Sequence, residues 1–342
     1  MNKIKIDTIG CTEEFKAEVL DFLNEWYNCE SEVSVRTSGS TGAPKVMRIS
    51  KERMRKSALL TCGFLGLKAG DTALLCMPVR YIAGKMMIVR AIVGGLKLIA
   101  VTPSANPMAE VEGQISFAAM TPMQVQSSLQ NTVEREQLQA VDSLIIGGGA
   151  IDSMLENELR SFPKAVYSTY GMTETLSHIA MRKLNGDDAS HYYTPLPSVD
   201  LSLSENDTLI IYAPKVCSEK LVTNDVAELL ADCRFRIKGR TDNVINSGGV
   251  KIQAEEVEAS LQEYTNNEIA ITSITDERYG EALVLLVEVG ISDKLTKAIN
   301  NLPKYHKPKQ IALVEKIPQT PTGKKDRVAI RTLAEQRFYD RD

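Results

Sequence analysis

The sequence predicts an α/β chain followed by an α+β module. A large N-terminal domain of layered sheets and helices covers residues 1–239, with a small β subdomain at 199–239. A connection at 240–243 then leads to a smaller C-terminal domain at 244–342. Three observations carry this reading. Ahead of residue 199, short β-rich runs alternate with longer helical stretches, the rhythm of a sheet covered by helices. From 199 to 238 the texture changes to short strands and turns. Beyond Asp242 a strand, a helix, two strands, a helix and a last strand fill about a hundred residues, the size of a small domain.

Residues 12–27 place Phe15, Val19, Phe22, Leu23 and Trp26 at helical spacing behind an acidic start, which predicts an amphipathic opening helix. Residues 33–36 predict a short strand. It leads into Thr37-Ser38-Gly39-Ser40-Thr41-Gly42-Ala43-Pro44-Lys45. Further strands are expected at 73–77, 98–102, 143–146 and 165–168, with helices between them. In the subdomain the polar break 204–207 precedes a strand at 209–212. In the last module the helices are expected at 255–263 and 294–301, and the strands at 268–275, 282–289 and 310–313.

Apolar residues make up 43% of the chain and charged residues 25%, enough for a packed core and unlike a disordered chain. A net charge of -4 offers no broad attraction to nucleic acid or to an anionic membrane. Cys11, Cys29, Cys62, Cys76, Cys217 and Cys233 are scattered, with no C-x-x-C pair and no histidine at metal-ligand spacing. They read as reduced thiols in cytoplasm. Residues 1–7 lack the apolar run of a signal peptide, and the most apolar stretch, 86–101, is broken by Arg90 and Lys97, so no membrane span is expected.

The loop at 37–45 concentrates hydroxyls and glycines and ends in a lysine. Glycine backbone can approach phosphate oxygens closely, hydroxyls add donors, and the lysine adds charge. It is not a Walker A loop, because Pro44 separates Gly42-Ala43 from Lys45. The alternative is a flexible Ser/Gly linker, which would need neither Pro44-Lys45 nor a preceding strand. Read from residues alone, Tyr170-Gly171-Met172-Thr173-Glu174-Thr175 could be a strand-to-helix turn with a helix-starting Thr and Glu. Gly147-Gly148-Gly149-Ala150 could be a plain tight turn. Glu255, Glu256 and Glu258 read as a solvated first helical turn favoured by the helix dipole, and Lys325 as a solvent-exposed neighbour of Lys324.

Taken with Thr223-Asn224-Asp225, the junction 239–258 and Pro318-Gln319-Thr320-Pro321-Thr322-Gly323-Lys324, these segments resemble, in order, those of the acyl-adenylate-forming superfamily of acyl-CoA synthetases, peptide-synthetase adenylation domains and luciferases. The resemblance implies ATP, Mg2+ and CoA as reactants beside a small carboxylic acid. It implies that Thr37, Ser38, Gly39, Ser40, Thr41, Gly42 and Lys45 hold the ATP phosphates. Tyr170 and Gly171 would lie against adenine together with Gly148, Gly149 and Ala150. Thr173 would bond the α-phosphate, Glu174 would hold Mg2+, and Asp225 and Arg240 would contact the ribose. Asp242 would be the hinge of a mobile small domain, Gly248, Gly249 and Lys251 would line the CoA channel, and Lys324 would be catalytic.

In two places the sequence departs from the family. Asn224 stands where the family has glycine; since Asn also tolerates left-handed angles, a turn there could survive. Only 36 residues precede the phosphate loop, fewer than in family members, which implies an N-terminally shortened sheet with a face that a homo-oligomer could cover.

The segment at 77–90 resembles the acid-binding region of the o-succinylbenzoate–CoA ligases of menaquinone biosynthesis, in which a polar-aromatic pair precedes a small residue and glycine and an arginine follows. Tyr81, Gly84 and Arg90 occupy those places, and His178 could line the same pocket. Arg90 lies in an apolar run, where burial without an anion would be costly. Either an internal Asp or Glu pairs with it, or a second carboxylate on the substrate does. Three functions follow: an ATP-dependent acid–CoA ligase, most like one for o-succinylbenzoate; a ligase loading another aryl or fatty acid onto CoA or a carrier protein; or a non-catalytic nucleotide-binding relative.

Overall fold

The computed structural model describes residues 4–36, 46–320 and 324–339. A short strand β1 (Ile6–Thr8) precedes helix α1 (Glu13–Tyr27), whose first turn is fixed by the Thr12 hydroxyl accepting the Phe15 N–H. Phe15, Val19, Phe22 and Trp26 form its buried face, as their spacing predicts. Strands β2 (Glu32–Arg36) and β3 (Val46–Ser50) pair antiparallel with Arg36 opposite Val46. The expected phosphate loop, 37–45, lies outside the described residues; its two flanks are the paired ends of this hairpin.

The main sheet is built by β4 (Thr72–Leu75), β5 (Lys97–Ala100), β6 (Phe117–Met120), β7 (Ser143–Ile146), β8 (Ala165–Gly171), β9 (His178–Lys183) and β10 (Thr194–Pro195) together with β1. Its order is β1-β5-β4-β6-β7-β8-β9-β10; strands are parallel as far as β8 and antiparallel beyond it. Helices α2 (Lys51–Leu65) and α3 (Ile82–Gly94) join α1 on one face. There they bury Ala73, Leu75, Phe117, Ala119 and Ile145. Helices α4 (Pro122–Leu129), α5 (Thr132–Gln139) and α6 (Ser153–Leu159) cover the alternate residues Leu74, Ala118, Met120, Leu144 and Ile146 on the other. The strand period of two dictates this division. Both faces therefore carry helices of this chain.

Four antiparallel strands, β11 (Asp200–Leu203), β12 (Thr208–Tyr212), β13 (Leu221–Leu229) and β14 (Phe235–Arg240), make a second sheet. Its Leu209, Ile211, Ala227 and Phe235 share the buried cluster of α1, α2 and α3. A single 3-10 turn, Thr241–Asn243, follows.

The remaining elements are β15 (Val244–Ser247), β16 (Val250–Gln253), α7 (Ala254–Gln262), β17 (Ile269–Asp276), β18 (Gly280–Glu288), α8 (Asp293–Asn301), β19 (Gln310–Val314) and α9 (Arg327–Tyr339). Their five-stranded sheet has one core against α7 and α8 and another against α9. No buried cluster among the described residues includes members from both sides of the 3-10 turn.

Three local expectations change. Gly248 and Gly249, which the family resemblance puts on a strand lining the CoA channel, form the turn of the β15–β16 hairpin. Thr223, Asn224 and Asp225 lie inside β13, so no left-handed turn is required of Asn224. Helix α9 was not expected, although Val328, Ile330, Leu333, Ala334 and Phe338 recur on it with apolar spacing.

Candidate functional site

In an open parallel sheet, ligands sit outside the carboxyl ends of the strands, near the point where successive connections leave on opposite faces. Here the chain leaves β4 through α3 on one face and β6 through α4 and α5 on the other. The carboxyl ends of β4, β7 and β8 carry the segments around Tyr81, Gly147-Gly148-Gly149-Ala150 and Gly171-Met172-Thr173-Glu174. The same edge of the sheet thus carries residues almost a hundred positions apart in sequence.

After β8 the chain does not enter a helix, which corrects the strand-to-helix reading of 170–175. It turns back as β9, with Leu176 in the left-handed region. The Thr175 hydroxyl closes this turn: it accepts the Met172 N–H at 3.0 Å and donates within the turn, where the carbonyls of Met172 (3.0 Å) and Ser177 (2.8 Å) are its acceptors. Gly171 is required because a Cβ there would sit 2.3 Å from the Ser177 carbonyl oxygen and 2.4 Å from the His178 Cα. Thr173 and the exposed Glu174 stand on this turn. No group of three or more His, Cys, Asp or Glu side chains among the described residues could hold a metal. A single exposed carboxylate suits Mg2+ that arrives bound to phosphates and keeps several waters.

Three of the expected adenine and ribose residues, Tyr170, Asp225 and Arg240, form one connected set. The Tyr170 hydroxyl donates to Asp225 Oδ2 at 2.6 Å, and Arg240 Nη1 donates to Asp225 Oδ1 at 2.7 Å. The register of β13 against β14 places Asp225 opposite Arg240. Burial and the Asp225 carboxylate raise the Tyr170 pKa, so the phenol stays protonated and remains a donor. The Tyr170 ring packs edge-on against Phe235 at 5.2 Å between centroids. Asp242 accepts from Arg240 Nη2 at 2.9 Å and from Asn224 Nδ2 at 3.1 Å, which ties the 3-10 turn to β13 and β14. Lys324 comes close enough for Asp225 and Arg240 to act on it. Its side chain still reaches solvent. Loss of part of its water lowers its pKa, Arg240 lowers it further, and Asp225 opposes them.

Arg90 is 2% exposed on α3, and among the described residues no carboxylate pairs with it. Burial lowers its pKa to about 10, so it keeps its charge at neutral pH. Nη2 donates to Ser177 Oγ, Nη1 reaches the Met87 sulfur at 3.6 Å, and Nε has no partner. The expectation of an internal salt bridge to Asp or Glu is therefore not met.

His178 contacts Ser177 Oγ through Nδ1 at 3.3 Å and Thr61 Oγ1 through Nε2 at 3.0 Å, and Thr61 Oγ1 donates to the Ser57 carbonyl. Burial and the adjacent Arg90 charge push the His178 pKa well below its ordinary value, so the ring is neutral. The donors run in one sense from Arg90 through Ser177, His178 and Thr61 to Ser57 when Nε2 carries the proton. Thr61 and Ser177 had no signal in the sequence beyond Ser177's place beside His178.

Tyr81 precedes α3, and its backbone bridges Arg36 at the hairpin flank. Gly84 lets α3 close on the preceding turn, since a Cβ there would lie 2.4 Å from the Pro78 carbonyl oxygen. A cleft of about 530 Å3 beside the hairpin flanks is lined by residues including Glu18, Glu25, Arg36, Val46, Arg80 and Lys85. The buried Lys85 ammonium pairs there with Glu25 at 3.3 Å.

The expected channel residues lie apart from this set. Gly248, in the β15–β16 turn, donates its N–H to the Tyr279 carbonyl, and Lys251 is exposed. No hydrogen bond or ion pair among the described residues joins that turn to Tyr170, Asp225 or Lys324. Two further expectations are corrected. Glu258 is buried at 7% exposure and Glu255 is partly buried, while Glu256 alone of the three is solvated. Lys325 pairs with Glu258 at 2.9 Å instead of standing free in solvent. No helix among the described residues is long and apolar enough to cross a membrane.

A sheet whose carboxyl ends gather these segments, joined through one turn to a module whose lysine lies within the field of Asp225 and Arg240, suits an enzyme that activates an acid with a nucleotide. The AMP-binding enzyme model matches residues 36–216 and the AMP-binding enzyme C-terminal domain model matches 256–324; the chain belongs to the AMP-binding enzyme family.

Among its relatives, a 2-succinylbenzoate–CoA ligase of a Geobacillus strain is 24% identical, aligned over 94% of this chain and 73% of that protein. The same-named ligase of Lactococcus lactis is 24% identical over 85% and 69%. The crystal structure of an acyl-CoA synthetase (AMP-forming)/AMP-acid ligase II-like protein from Dyadobacter fermentans is 33% identical. It covers 94% of this chain and 95% of its own, with a TM-score of 0.66. ATP-bound MatB from Rhodopseudomonas palustris superposes with a TM-score of 0.79 over 89% of this chain and 68% of its own, at 16% identity. That likeness is one of fold.

Proposed function

We propose that this chain is an ATP-dependent, AMP-forming acid–CoA ligase whose acid bears a second carboxylate, most like o-succinylbenzoate, in menaquinone biosynthesis. The observation that carries the choice of acid is Arg90, a buried guanidinium with an unpaired Nε and no carboxylate partner among the described residues. A dicarboxylic acid supplies one carboxylate for activation and one for Arg90, which a simple aryl or fatty acid cannot do. Supply of ATP and CoA fits a cytoplasmic enzyme.

In the first half-reaction a carboxylate oxygen attacks the α-phosphorus and pyrophosphate leaves. Both partners are anions, so the site has to neutralise charge and hold them in line. The donors at 37–45, Thr173 and Lys324 would do this, and Glu174 would hold Mg2+, which would offset charge on the phosphates. Tyr170, Asp225 and Arg240 hold the nucleoside; Asp225 oxygens retain lone pairs for ribose hydroxyls beside the bonds they already accept. In the second half-reaction the CoA thiol attacks the acyl carbon and AMP leaves. The C-terminal domain turns about Asp242, withdraws Lys324 and brings the Gly248-Gly249 turn toward the acyl group.

Pyrophosphate release measured against o-succinylbenzoate, benzoate, malonate and a fatty acid, with and without CoA, tests this. Release with o-succinylbenzoate well above the monocarboxylates, with a CoA thioester as product, is expected. Equal rates with benzoate would overturn the choice of acid. Silence with every acid would overturn the enzymatic reading.

A further inference from the structure

We infer that Lys325 and Arg327, both half-buried, close on the buried Glu258 as a clamp that aims Lys324, which makes Lys325 and Glu258 positioning residues for the adenylation half-reaction. The inference rests on the role of Lys324 given above. The Thr320 N–H donates to the Lys324 carbonyl at 2.7 Å, the Lys324 N–H donates to Thr320 Oγ1 at 3.2 Å, and Gln319 and Lys325 form an antiparallel bridge. Residues 324 and 325 therefore belong to extended, cross-paired backbone. Successive side chains on such backbone point to opposite sides. Holding Lys325 inward consequently sends Lys324 outward, toward the field of Asp225 and Arg240.

The inward anchor is strong because it is saturated. Glu258 Oε1 accepts from Ile271 N–H at 2.7 Å and from Arg327 Nη1 at 2.6 Å. Its Oε2 accepts from Lys325 Nζ at 2.9 Å and Arg327 Nη2 at 3.0 Å. Burial alone would raise the Glu258 pKa, but the two cations hold it below the ordinary carboxylate value. A buried carboxylate with four donors is costly to disturb on either side: removing Lys325 takes one donor from Oε2, and removing the carboxylate leaves the Lys325 ammonium without its anion. Asp326 stiffens the same stretch: its N–H donates to the Pro318 carbonyl and its side chain caps α9 by accepting the Ala329 N–H.

The clamp also reaches the connecting turn. Glu255, one turn earlier on α7, accepts from Arg327 Nη2 at 3.3 Å and from Asn243, the last residue of the 3-10 turn. Asn243, α7 and the Lys324 segment thus form one body. When the C-terminal domain turns, Lys324 is carried away with it, so disturbing the clamp affects the half-reaction in which Lys324 acts.

The test uses the full chain with Lys325→Met, Lys325→Arg, Glu258→Gln and Lys324→Ala, and separates adenylation from thioester formation on supplied acyl-adenylate. Misplacing a catalytic group by an ångström costs up to about a hundredfold, so Lys325→Met should lower the adenylation kcat by roughly tenfold to a hundredfold. KM for ATP and acid and the thioester step should stay near wild type, and Lys325→Arg should recover most of the loss. Glu258→Gln should act in the same direction with a lower melting temperature. Wild-type adenylation by Lys325→Met, beside a dead Lys324→Ala, would overturn the clamp. Parallel loss of both half-reactions in Lys325→Met, unrelieved by Lys325→Arg, would mark Lys325 as merely structural and also overturn it. Normal adenylation by Lys324→Ala would instead remove the reading of Lys324 on which the clamp depends.

Discussion

A guanidinium at 2% exposure, without a carboxylate partner among the described residues, leaves two ways to lower the energy of the site: replacing the charged side chain by mutation, or meeting an anion. These ways predict opposite signs for stability and function at one residue. Replacing buried ionic groups by apolar ones of similar size often stabilises a protein, by about 1–4 kcal/mol. Arg90→Met should therefore raise the melting temperature of the ligand-free protein. Losing one partner of a buried charge pair in a complex costs roughly 2–5 kcal/mol, so kcat/KM for o-succinylbenzoate should fall about thirtyfold or more. Activity toward benzoate, which has no second carboxylate, should change little. Calorimetry and steady-state kinetics on the two acids read both signs, and equal losses on both acids would show that Arg90 does not contact the distal carboxylate. The position of Arg90 was legible because a lone cation stood in an apolar helical run. Its neighbours were not: Thr61 and His178 lie 117 residues apart, and no local pattern encodes a contact of that range.

At the scale of elements, four of the parallel strands, β4, β5, β7 and β8, could be read because each is a short, largely buried apolar run, and their ends differ from expectation by only a few residues, whereas β1 and β6, the latter only four residues long, were missed. Helix α7 shows the opposite case. Its acidic start suggested a solvated face, yet Ala254, Val257, Glu258 and Leu261 fall at i, i+3, i+4 and i+7 and are all buried. That spacing placed Glu258 on the apolar side; only the cations from the chain's far end, Lys325 and Arg327, made such burial tolerable. Helix α3 depends on contact of another kind. Gly84 lies against the Pro78 carbonyl, so Gly84→Ala has to push the start of α3 away from the turn that follows β4. Overpacking of this sort costs roughly 1–3 kcal/mol. A lower melting temperature is expected, with a raised KM for the acid because Arg90 rides on this helix and Tyr81 stands at its start. An unchanged melting temperature would mean that the turn yields freely and that the close approach does not set the helix position.

For the whole molecule, the separation of buried clusters on either side of Thr241–Asn243 leaves one short turn to carry any reorientation. The side chain of Asp242 holds that turn to Asn224 and Arg240, while its backbone is where the proposed mechanism puts the rotation. The two contributions can be separated. Asp242→Ala removes the carboxylate and leaves the backbone free. Asp242→Pro removes the same carboxylate and also fixes φ near -65°, a value that the first turn of a helix tolerates. Both variants should adenylate alike, because the arrangement that presents Lys324 to Asp225 and Arg240 is the one with the turn intact. They should differ in the second half-reaction. If the domain turns by changing the backbone at 242, proline should slow thioester formation from supplied acyl-adenylate by about tenfold or more beyond alanine, as expected where a conformational step limits turnover. Rapid mixing of enzyme-bound adenylate with CoA measures this directly. Identical thioester rates in the two variants would place the pivot elsewhere, and a proline variant that failed in adenylation alone would mean that the turn seen here is not the adenylating arrangement.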